Sequence, residues 1–354
     1  MFLLLLGVPA VTTGATKGNS QPFALVSPRV AARLKSQVET SQAKAVIREA
    51  DKGLARKPGA LPRIHTEGTL PHQGIRDESL KAAKDFETMR DLGLAYRLTG
   101  ERRYLNGEAR YLSAWLSTYQ ISFNPIDETR FDAVIIGYDL TRASLPVKLQ
   151  QKMDGFLRAM AEGYLDRIAK QRVEDNANWQ SHRVKLITLA AFETGDEGLI
   201  GRARKAFQRQ VEVNIRPDGS VVDFYKRDAL HYVTYDLEPL VTASLAAKAH
   251  GEDWFHYQPR EGASVAQAVN WLTPYATGAK THDEFVRSLV RFDAERAAAG
   301  EKGFSGRWDP ATSVTVYAMV TAVDKGYAQV YKSMSRTSKA KAPAWIILLT
   351  KAGM

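Results

Sequence analysis

Three junctions of the same form recur along this chain and constrain its fold more than any other feature. Leu-Ala pairs at 94–95, 189–190 and 245–246 are each followed by a glycine six residues after the leucine, and then by an acidic residue. A glycine at this place ends a helix in the left-handed conformation, and an acid favours the start of the next helix. The junctions therefore predict a repeated helical hairpin.

Apolar residues also recur at intervals of three and four over most of the chain, as they do between Leu80 and Leu98. This period predicts further helices at roughly 28–55, 104–120, 130–142, 147–171, 180–193, 199–214, 228–249, 264–272, 282–298 and 310–324. Strand patterns are few, one at 220–224 and a second candidate at 346–349. Stacked hairpins bury a continuous core against their neighbours, either in an open solenoid or in a closed ring. We expect an all-α chain forming a single α/α toroid, because polar motifs lie at helix starts that could converge on one cleft.

The predicted toroid domain covers 23–330, since no proline- or glycine-rich linker divides it. Before it, 1–22 resembles a signal segment, with an apolar run too short to span a bilayer and small residues at 13–15, although a basic n-region is missing. We expect cleavage between about 15 and 21 and export to the periplasm or beyond; a buried N-terminal strand is the alternative. The basic, polar segment 331–354 predicts a flexible tail.

The charge of the chain favours an anionic partner. The 354 residues carry a formal net charge of +10, and no run of Lys or Arg exceeds two residues. A distributed basic surface suits a polyanion, and no nucleic-acid-binding motif occurs, so we expect no nucleic-acid partner. No later segment is apolar enough to cross a membrane, and we expect a monomer without a membrane partner.

The motif inventory excludes several chemistries. The chain has no cysteine, which rules out disulfides, thiolate zinc sites and a cysteine nucleophile. Its seven histidines form no HExxH pair, and neither a phosphate-binding glycine loop nor a G-x-S-x-G elbow occurs. We therefore expect no metal and no cofactor.

Paired carboxylates keep a glycosidase possible, because such an enzyme needs two acids about 5 to 10 Å apart. The available acids are Asp127, Glu128, Asp175, Asp223, Asp228 and Glu238. For Asp127 and Glu128 the structural alternative is a helix N-cap and first turn, opening a helix over 129–140.

A second polar set favours proton abstraction. Arg227, His231 and Tyr235 are four residues apart without an intervening helix breaker, so the spacing predicts one row on a helix face. Asn178 and His182 form a similar pair upstream. Each residue alone has a structural reading, such as a core histidine or an arginine paired with a nearby acid. Together they supply an amide, two imidazoles, a guanidinium and a phenol, which suit removal of a proton next to a carboxylate.

Segments 178–182 and 227–240 resemble the alginate lyase superfamily of α/α-toroid polysaccharide lyases, and 94–100, 124–129 and 278–285 are similar to further family segments. The likeness spans roughly 80–310. It implies that Asn178 and His182 engage the substrate carboxylate, that Arg227 supports the site and that Tyr235 is base and acid. It also implies substrate contacts from His231, Tyr232, Trp179, Gln180, Asn124 and Glu128.

Two departures from the family pattern bear on the substrate. The best-known alginate lyases have adjacent Asn and His, whereas here the two are four residues apart, and their Arg-to-Tyr spacing is one residue shorter. His231 and Tyr232 are therefore alternatives to Tyr235, and His182 is either the neutraliser of the carboxylate or an alternative base. The pattern is closer to the branch that includes β-1,4-glucuronan lyases, so the resemblance implies alginate, polymannuronate or glucuronan.

These residue types match the chemistry of β-elimination. Donors and a cation around a uronate carboxylate stabilise the enolate-like state formed as C5 loses its proton. A tyrosine, with a pKa of about 10, needs a nearby cation, and Arg227 is the candidate. In β-D-mannuronate and β-D-glucuronate the C5 hydrogen and O4 lie on the same side of the ring. One phenol can therefore take the C5 proton and return it to the leaving oxygen. Trp115, Trp179 and Tyr119 fit a glycan cleft. A polyuronate lyase giving a 4,5-unsaturated end is expected; a glycosidase and a non-catalytic glycan-binding helical-repeat protein are the alternatives.

Overall fold

The computed structural model describes residues 21–171, 177–337 and 340–354 of the chain. The predicted signal segment and Asp175 lie outside these residues, apart from the last two positions of that segment, so export stays a prediction. None of the helices in the described ranges is long and apolar enough to span a membrane.

The described residues form sixteen α-helices and no β-ladder, with two isolated bridges, Ile215 to Val221 and Asp283 to Arg307. The helices are α1 Pro28–Arg33, α2 Ser41–Ala55, α3 Arg76–Ala82, α4 Lys84–Thr99, α5 Arg102–Thr118, α6 Phe131–Thr141, α7 Val147–Lys170, α8 Asn178–Thr194, α9 Glu197–Asn214, α10 Val222–Arg227, α11 Leu230–Ala249, α12 Val265–Ala276, α13 Arg291–Ala298, α14 Val314–Val323, α15 Ala328–Thr337 and α16 Ala344–Ala352. Short 3₁₀ turns lie at Leu34–Gln37, Arg142–Ser144, Pro310–Ser313 and Lys325–Tyr327.

The long helices alternate between an inner and an outer layer. The inner helices α4, α6, α8, α11 and α14 pack side by side in that order. The outer helices α5, α7, α9 and α12 each pack on an inner helix, and α2 covers α4. This two-layer arrangement of helical hairpins is the predicted α/α toroid.

Burial explains which helices lie inside. Every residue of α8 from 180 to 193 is buried, so the helix has no solvent face and must lie within the core. The outer helix α9 buries one stripe instead, with Leu199, Ala203, Phe207 and Val211 at four-residue intervals. The same contrast between a helix buried all round and an amphipathic neighbour separates α11 from α12.

The glycines of the repeated junctions end their helices as predicted. Gly100 and Gly195 follow α4 and α8 with φ of 78° and 63°, in the left-handed region that a side chain would strain. Gly251, beyond α11, has φ of 83°. Asp196 then caps α9, because its carboxylate accepts a hydrogen bond from the Leu199 amide at 3.0 Å.

Three segments differ from the sequence-based expectations. The strand expected at 220–224 is a single bridge residue leading into α10, and the predicted helix at 282–298 is a loop followed by α13. The apolar run at 346–349 lies in α16, where Ile346, Leu348 and Leu349 are buried. Within the predicted flexible tail, α16 is an ordered helix that packs against α2 and α14.

Glu108 of α5 is an ionisable group enclosed in the core. Its side chain faces Gly137 of α6, where an added Cβ would lie 3.0 Å from Glu108 Oε1. Burial raises the pKa of Glu108 well above its ordinary value, against the smaller opposing effects of Thr141 and Arg97. The folded protein therefore keeps a proton on Glu108 at pH values where the unfolded chain has lost it.

We expect Glu108→Gln to stabilise the protein, and increasingly so as pH rises. Above the unfolded pKa of about 4.3, each step in pH lowers the wild-type free energy of unfolding, because the folded state binds more protons than the unfolded one. Glutamine does not titrate, so the variant avoids this loss. Urea unfolding at about pH 5 and about pH 8 measures the difference, with surface Glu261→Gln as control. An equal effect at both pH values would contradict the prediction.

Candidate active site

A cleft of about 320 Å³ opens where the first turns of α8 and α11 meet the loops that precede α3 and α6. Six of the predicted site residues line it: Asn178, Trp179, Arg227, His231, Tyr232 and Tyr235. The rest of the wall is formed by Ile64, Thr66, Glu67, Gly68, Arg76, Leu80, Ala83, Ile126, Asp127, Thr129, Arg130, Phe292, Arg296 and Phe304. The polar helix starts thus converge on one cleft, as expected.

The helix predicted through Arg227, His231 and Tyr235 is broken. Helix α10 ends at Arg227, Asp228 adopts the left-handed conformation with φ of 50°, and α11 begins two residues later. The carbonyl oxygen of Asp228 accepts hydrogen bonds from the Phe285 amide and from His282 Nε2, both at 2.9 Å. These distant contacts hold the break, so the prediction of one continuous row is wrong, and only His231 and Tyr235 share a helix face.

Arg227 enters the cleft from the end of α10. Its guanidinium pairs with Asp293, whose side chain is fully buried, and lies 4.0 Å from Asp223. It also lies 3.8 Å from the centroid of the Tyr232 ring, a cation–π contact. These contacts fix a positive charge in the cleft wall.

Asn178, the first residue of α8, is oriented by Asp223. Its backbone amide donates to Asp223 Oδ2 at 2.7 Å, and its Nδ2 lies 3.1 and 3.0 Å from the two carboxylate oxygens. Burial raises the pKa of Asp223, whereas the hydrogen bonds from Asn178 and the charge of Arg227 lower it. Asp223, one of the acids considered for a glycosidase, therefore supports the cleft from behind and does not line it.

His182 lies one turn deeper and has no surface in the cleft. Its ring packs on the ring of Tyr235 with centroids 4.3 Å apart, and its Nδ1 lies 2.7 Å from Thr129 Oγ1. Burial, and then the charge of Lys185, hold the pKa of His182 well below its ordinary value, so the imidazole is neutral. The resemblance implied a direct contact with the substrate carboxylate, but the structure places His182 behind Tyr235 instead.

Tyr235 lines the cleft with a pKa raised above its ordinary value. Burial is the main cause, and Glu238 and Tyr232 act in the same direction. Arg130 and Arg296 are the cations that lower the pKa of Tyr235, whereas the charge of Arg227 lowers the pKa of Tyr232. The expectation that Arg227 activates Tyr235 is corrected accordingly, because the break at Asp228 moves Arg227 off the helix face of Tyr235.

Three arginines form the part of the site that the sequence analysis missed. Among the described residues, Arg76, Arg130 and Arg296 line the cleft together with the predicted Arg227. Arg76 makes a two-point ion pair with Glu301 at 3.0 and 3.1 Å, and Arg296 lies 3.4 Å from the same carboxylate. Arg130 is half-exposed, and its side chain lies 3.9 Å from Glu87. The net charge of +10 was the only sequence signal of this basic wall.

Three residues that the resemblance assigned to substrate binding lie outside the cleft. Gln180 Oε1 accepts a hydrogen bond from Arg183 within α8, and Asn124 Oδ1 accepts one from the Ile126 amide in a local turn. Glu128 is buried, where it accepts hydrogen bonds from the hydroxyls of Tyr119 and Tyr164. Trp115 and Tyr119, expected to stack on glycan, are likewise core residues.

In the described parts of the chain, the acids that line the cleft are Glu67 and Asp127. Asp127 accepts hydrogen bonds from the Thr66 amide at 2.7 Å, the Glu67 amide at 2.9 Å and His65 Nδ1 at 3.0 Å. It therefore anchors the loop before α3. It does not cap the following helix, which begins at Phe131.

Comparison with known proteins gives one family and a consistent fold. The family model described as alginate lyase matches residues 30–282. A comparison with curated proteins gives no match. An alginate lyase from Bacteroides ovatus aligns with a TM-score of 0.68 at 16% identity, covering 93% of this chain and 98% of that one.

A second solved structure, alginate lyase A1-III from Sphingomonas species A1, aligns with a TM-score of 0.52 at 17% identity, covering 72% of this chain and 80% of that one. A variant of alginate lyase A1-III complexed with a tetrasaccharide aligns with a TM-score of 0.53 at 16% identity, covering 70% and 78%. At these identities the likenesses show a shared fold.

Proposed function

The chain belongs to the alginate lyase family, and we propose that this polysaccharide lyase cleaves 4-O-linked polyuronates by β-elimination in the cleft around Tyr235. The observation that carries the proposal is the arginine wall beside a cleft-lining phenol. Fixed guanidinium groups recognise carboxylates and stabilise negative charge that develops on them. A polyuronate carries one carboxylate on each sugar, so a basic cleft suits several sugars of the chain at once.

The proposed reaction assigns one task to each group. Arg227 and Asn178 stabilise the uronate carboxylate as the C5–H bond breaks and negative charge spreads onto its oxygens. Tyr235 takes the C5 proton. The C4–O4 bond then breaks, a double bond forms between C4 and C5, and Tyr235 returns the proton to O4 of the leaving sugar. The ring of Trp179 in the cleft wall offers an apolar face to the glycan.

His231 is the alternative base. It lines the cleft one helical turn before Tyr235, and burial with the charges of Arg296 and Arg227 lowers its pKa to about 4. The imidazole is therefore neutral and able to accept a proton at ordinary pH. Because both residues lie on one face of α11, His231 could take the C5 proton while Tyr235 protonates O4 on the same side of the sugar. This geometry favours substrates in which the C5 hydrogen and O4 lie on the same side of the sugar ring.

A glycosidase has less support. Of the acids considered from the sequence that the structure describes, Asp127 is the one that lines the cleft, and it is engaged by the loop before α3. Glu128, Asp223, Asp228 and Glu238 do not line it. The other described acid in the cleft wall, Glu67, belongs to that same loop, and its amide donates to Asp127. The two acids therefore come from one side of the cleft, whereas a glycosidase needs them on opposite sides of a sugar ring.

We expect the purified protein to release unsaturated oligouronates from polymannuronate or from β-1,4-glucuronan, and to act more slowly on polyguluronate. In guluronate the C5 hydrogen and O4 lie on opposite sides of the ring. Catalytic groups on one side of the sugar cannot both remove that hydrogen and protonate O4. The measurement is the ultraviolet absorbance of the conjugated product, with the three polymers in parallel. Mass spectrometry of the products distinguishes elimination from hydrolysis, because hydrolysis adds water.

Release of saturated oligosaccharides would overturn the lyase proposal in favour of a glycosidase. Binding of all three polymers without cleavage would instead support a glycan-binding protein. Preferential cleavage of polyguluronate would contradict only the expectation that the enzyme acts on sugars whose C5 hydrogen and O4 lie on the same side of the ring. The lyase proposal itself would stand.

A further inference from the structure

Thr129 lies between a buried cation and a buried imidazole. Its hydroxyl oxygen is 2.9 Å from Lys185 Nζ and 2.7 Å from His182 Nδ1. Lys185, almost fully buried on α8, also donates to the Thr129 carbonyl at 2.9 Å and to Asp132 at 2.7 Å. The three hydrogens of its ammonium group are thus matched by three oxygens.

This arrangement determines which way the hydrogen bonds run. An ammonium group only donates, so Thr129 Oγ1 accepts from Lys185. Among the described residues, His182 Nδ1 is the one acceptor within reach of the Thr129 hydroxyl, so the single hydroxyl hydrogen points to Nδ1, which accepts it. In the neutral ring the proton is therefore on Nε2.

The other side of the imidazole agrees with this assignment. His182 Nε2 is buried and has no hydrogen bond of ordinary geometry. The backbone of Tyr235 nevertheless lies close enough to favour the charged form of the ring. Within α11 the Tyr235 carbonyl cannot receive the usual bond from four residues ahead, because Pro239 has no amide hydrogen. An Nε2–H facing this freed carbonyl is favourable, whereas a lone pair there would be repelled.

We propose that Lys185 and Thr129 are positioning residues that hold His182 as its Nε2–H tautomer against the Tyr235 segment of α11. The proposal deepens the proposed function, since it gives His182 the task of fixing Tyr235. It also excludes His182 as the base, because Nδ1 is already occupied by the Thr129 hydroxyl and Nε2 carries the proton.

The tautomer can be measured without substrate. Long-range proton–nitrogen correlation spectra of protein labelled with ¹⁵N-histidine distinguish Nδ1–H, Nε2–H and doubly protonated rings. The His182 signals are those missing from the His182→Gln spectrum. We expect the Nε2–H pattern in the wild type and a mixture or the Nδ1–H pattern in Thr129→Val, which removes the hydroxyl donor. A doubly protonated or Nδ1–H ring in the wild type would overturn the proposal, whatever the activity of the protein.

Activity provides the second arm. Lys185 does not line the cleft, so Lys185→Met should lower kcat by about 10²-fold through misplacement of Tyr235, with KM changed little. Thr129→Ser, which keeps the hydroxyl, should restore most of the rate that Thr129→Val loses. The matched control is Thr242→Val, a buried threonine of α11 whose hydroxyl bonds its own helix at Glu238. Equal loss in Thr129→Ser and Thr129→Val would overturn the proposal, as would an unchanged His182 spectrum in Thr129→Val.

Discussion

Tyr235→Phe should lower kcat by about 10²–10⁴-fold, the usual contribution of a general acid–base group, while polyuronate binding stays nearly intact. The substitution removes one hydroxyl from the cleft wall and keeps the ring that packs on His182. The loss should therefore appear in kcat and leave KM nearly unchanged. Steady-state rates measure the effect on kcat, and quenching of the protein's tryptophan fluorescence by oligouronate measures binding. Tyr225→Phe, at a half-exposed tyrosine outside the cleft, is the matched control.

The pH profile distinguishes the possible bases. Burial raises the pKa of Tyr235, so the phenolate fraction, and with it kcat/KM, should grow toward alkaline pH. Arg130 lowers that pKa, hence Arg130→Met should move the rise to higher pH. If Tyr235→Phe keeps a near-normal rate while His231→Ala is inactive, the base is His231 and the assignment of Tyr235 is wrong. A rate that grows from about pH 4 upward would also indicate His231 as the base, because its surroundings lower the pKa of His231 to about 4.

The helical hairpins were predictable because their signals are local. Gly100 and Gly195 end helices through their own backbone freedom, and the apolar stripe of α9 is legible in its sequence. The run at 346–349 was ambiguous for the opposite reason. Four apolar residues fit a strand or a buried helix equally well, and burial against α2 decides for the helix.

The site was predictable only in part. The motif residues come from two short segments of the chain, and six of them meet in the cleft. The left-handed conformation of Asp228 depends on contacts with residues more than fifty positions away, so no local sequence pattern predicts it. The pairing of Arg76 with Glu301 joins residues 225 positions apart. Gln180 and Glu128 were misassigned because adjacency to a motif does not tell which way a side chain points.

Arg227→Ala should lower kcat/KM by roughly 10²–10³-fold, because it removes a fixed cation that stabilises the charge developing on the uronate. The same change leaves the buried Asp293 carboxylate without its ion-pair partner, although the Ser288 hydroxyl still donates to it. Removing one partner of a buried pair typically costs about 3–5 kcal/mol. The single variant should therefore be both slow and less stable, and its activity alone does not separate the two effects.

The double variant Arg227→Ala with Asp293→Asn separates them. Asparagine carries no charge to leave uncompensated, so urea unfolding should show much of the stability restored. The rate should stay low, because the cation over Tyr232 and beside the substrate carboxylate is still missing. Recovery of both stability and rate in the double variant would mean that Arg227 acts only through folding. In that case the charge stabilisation would belong to Arg76, Arg130 and Arg296, the remaining arginines of the cleft wall.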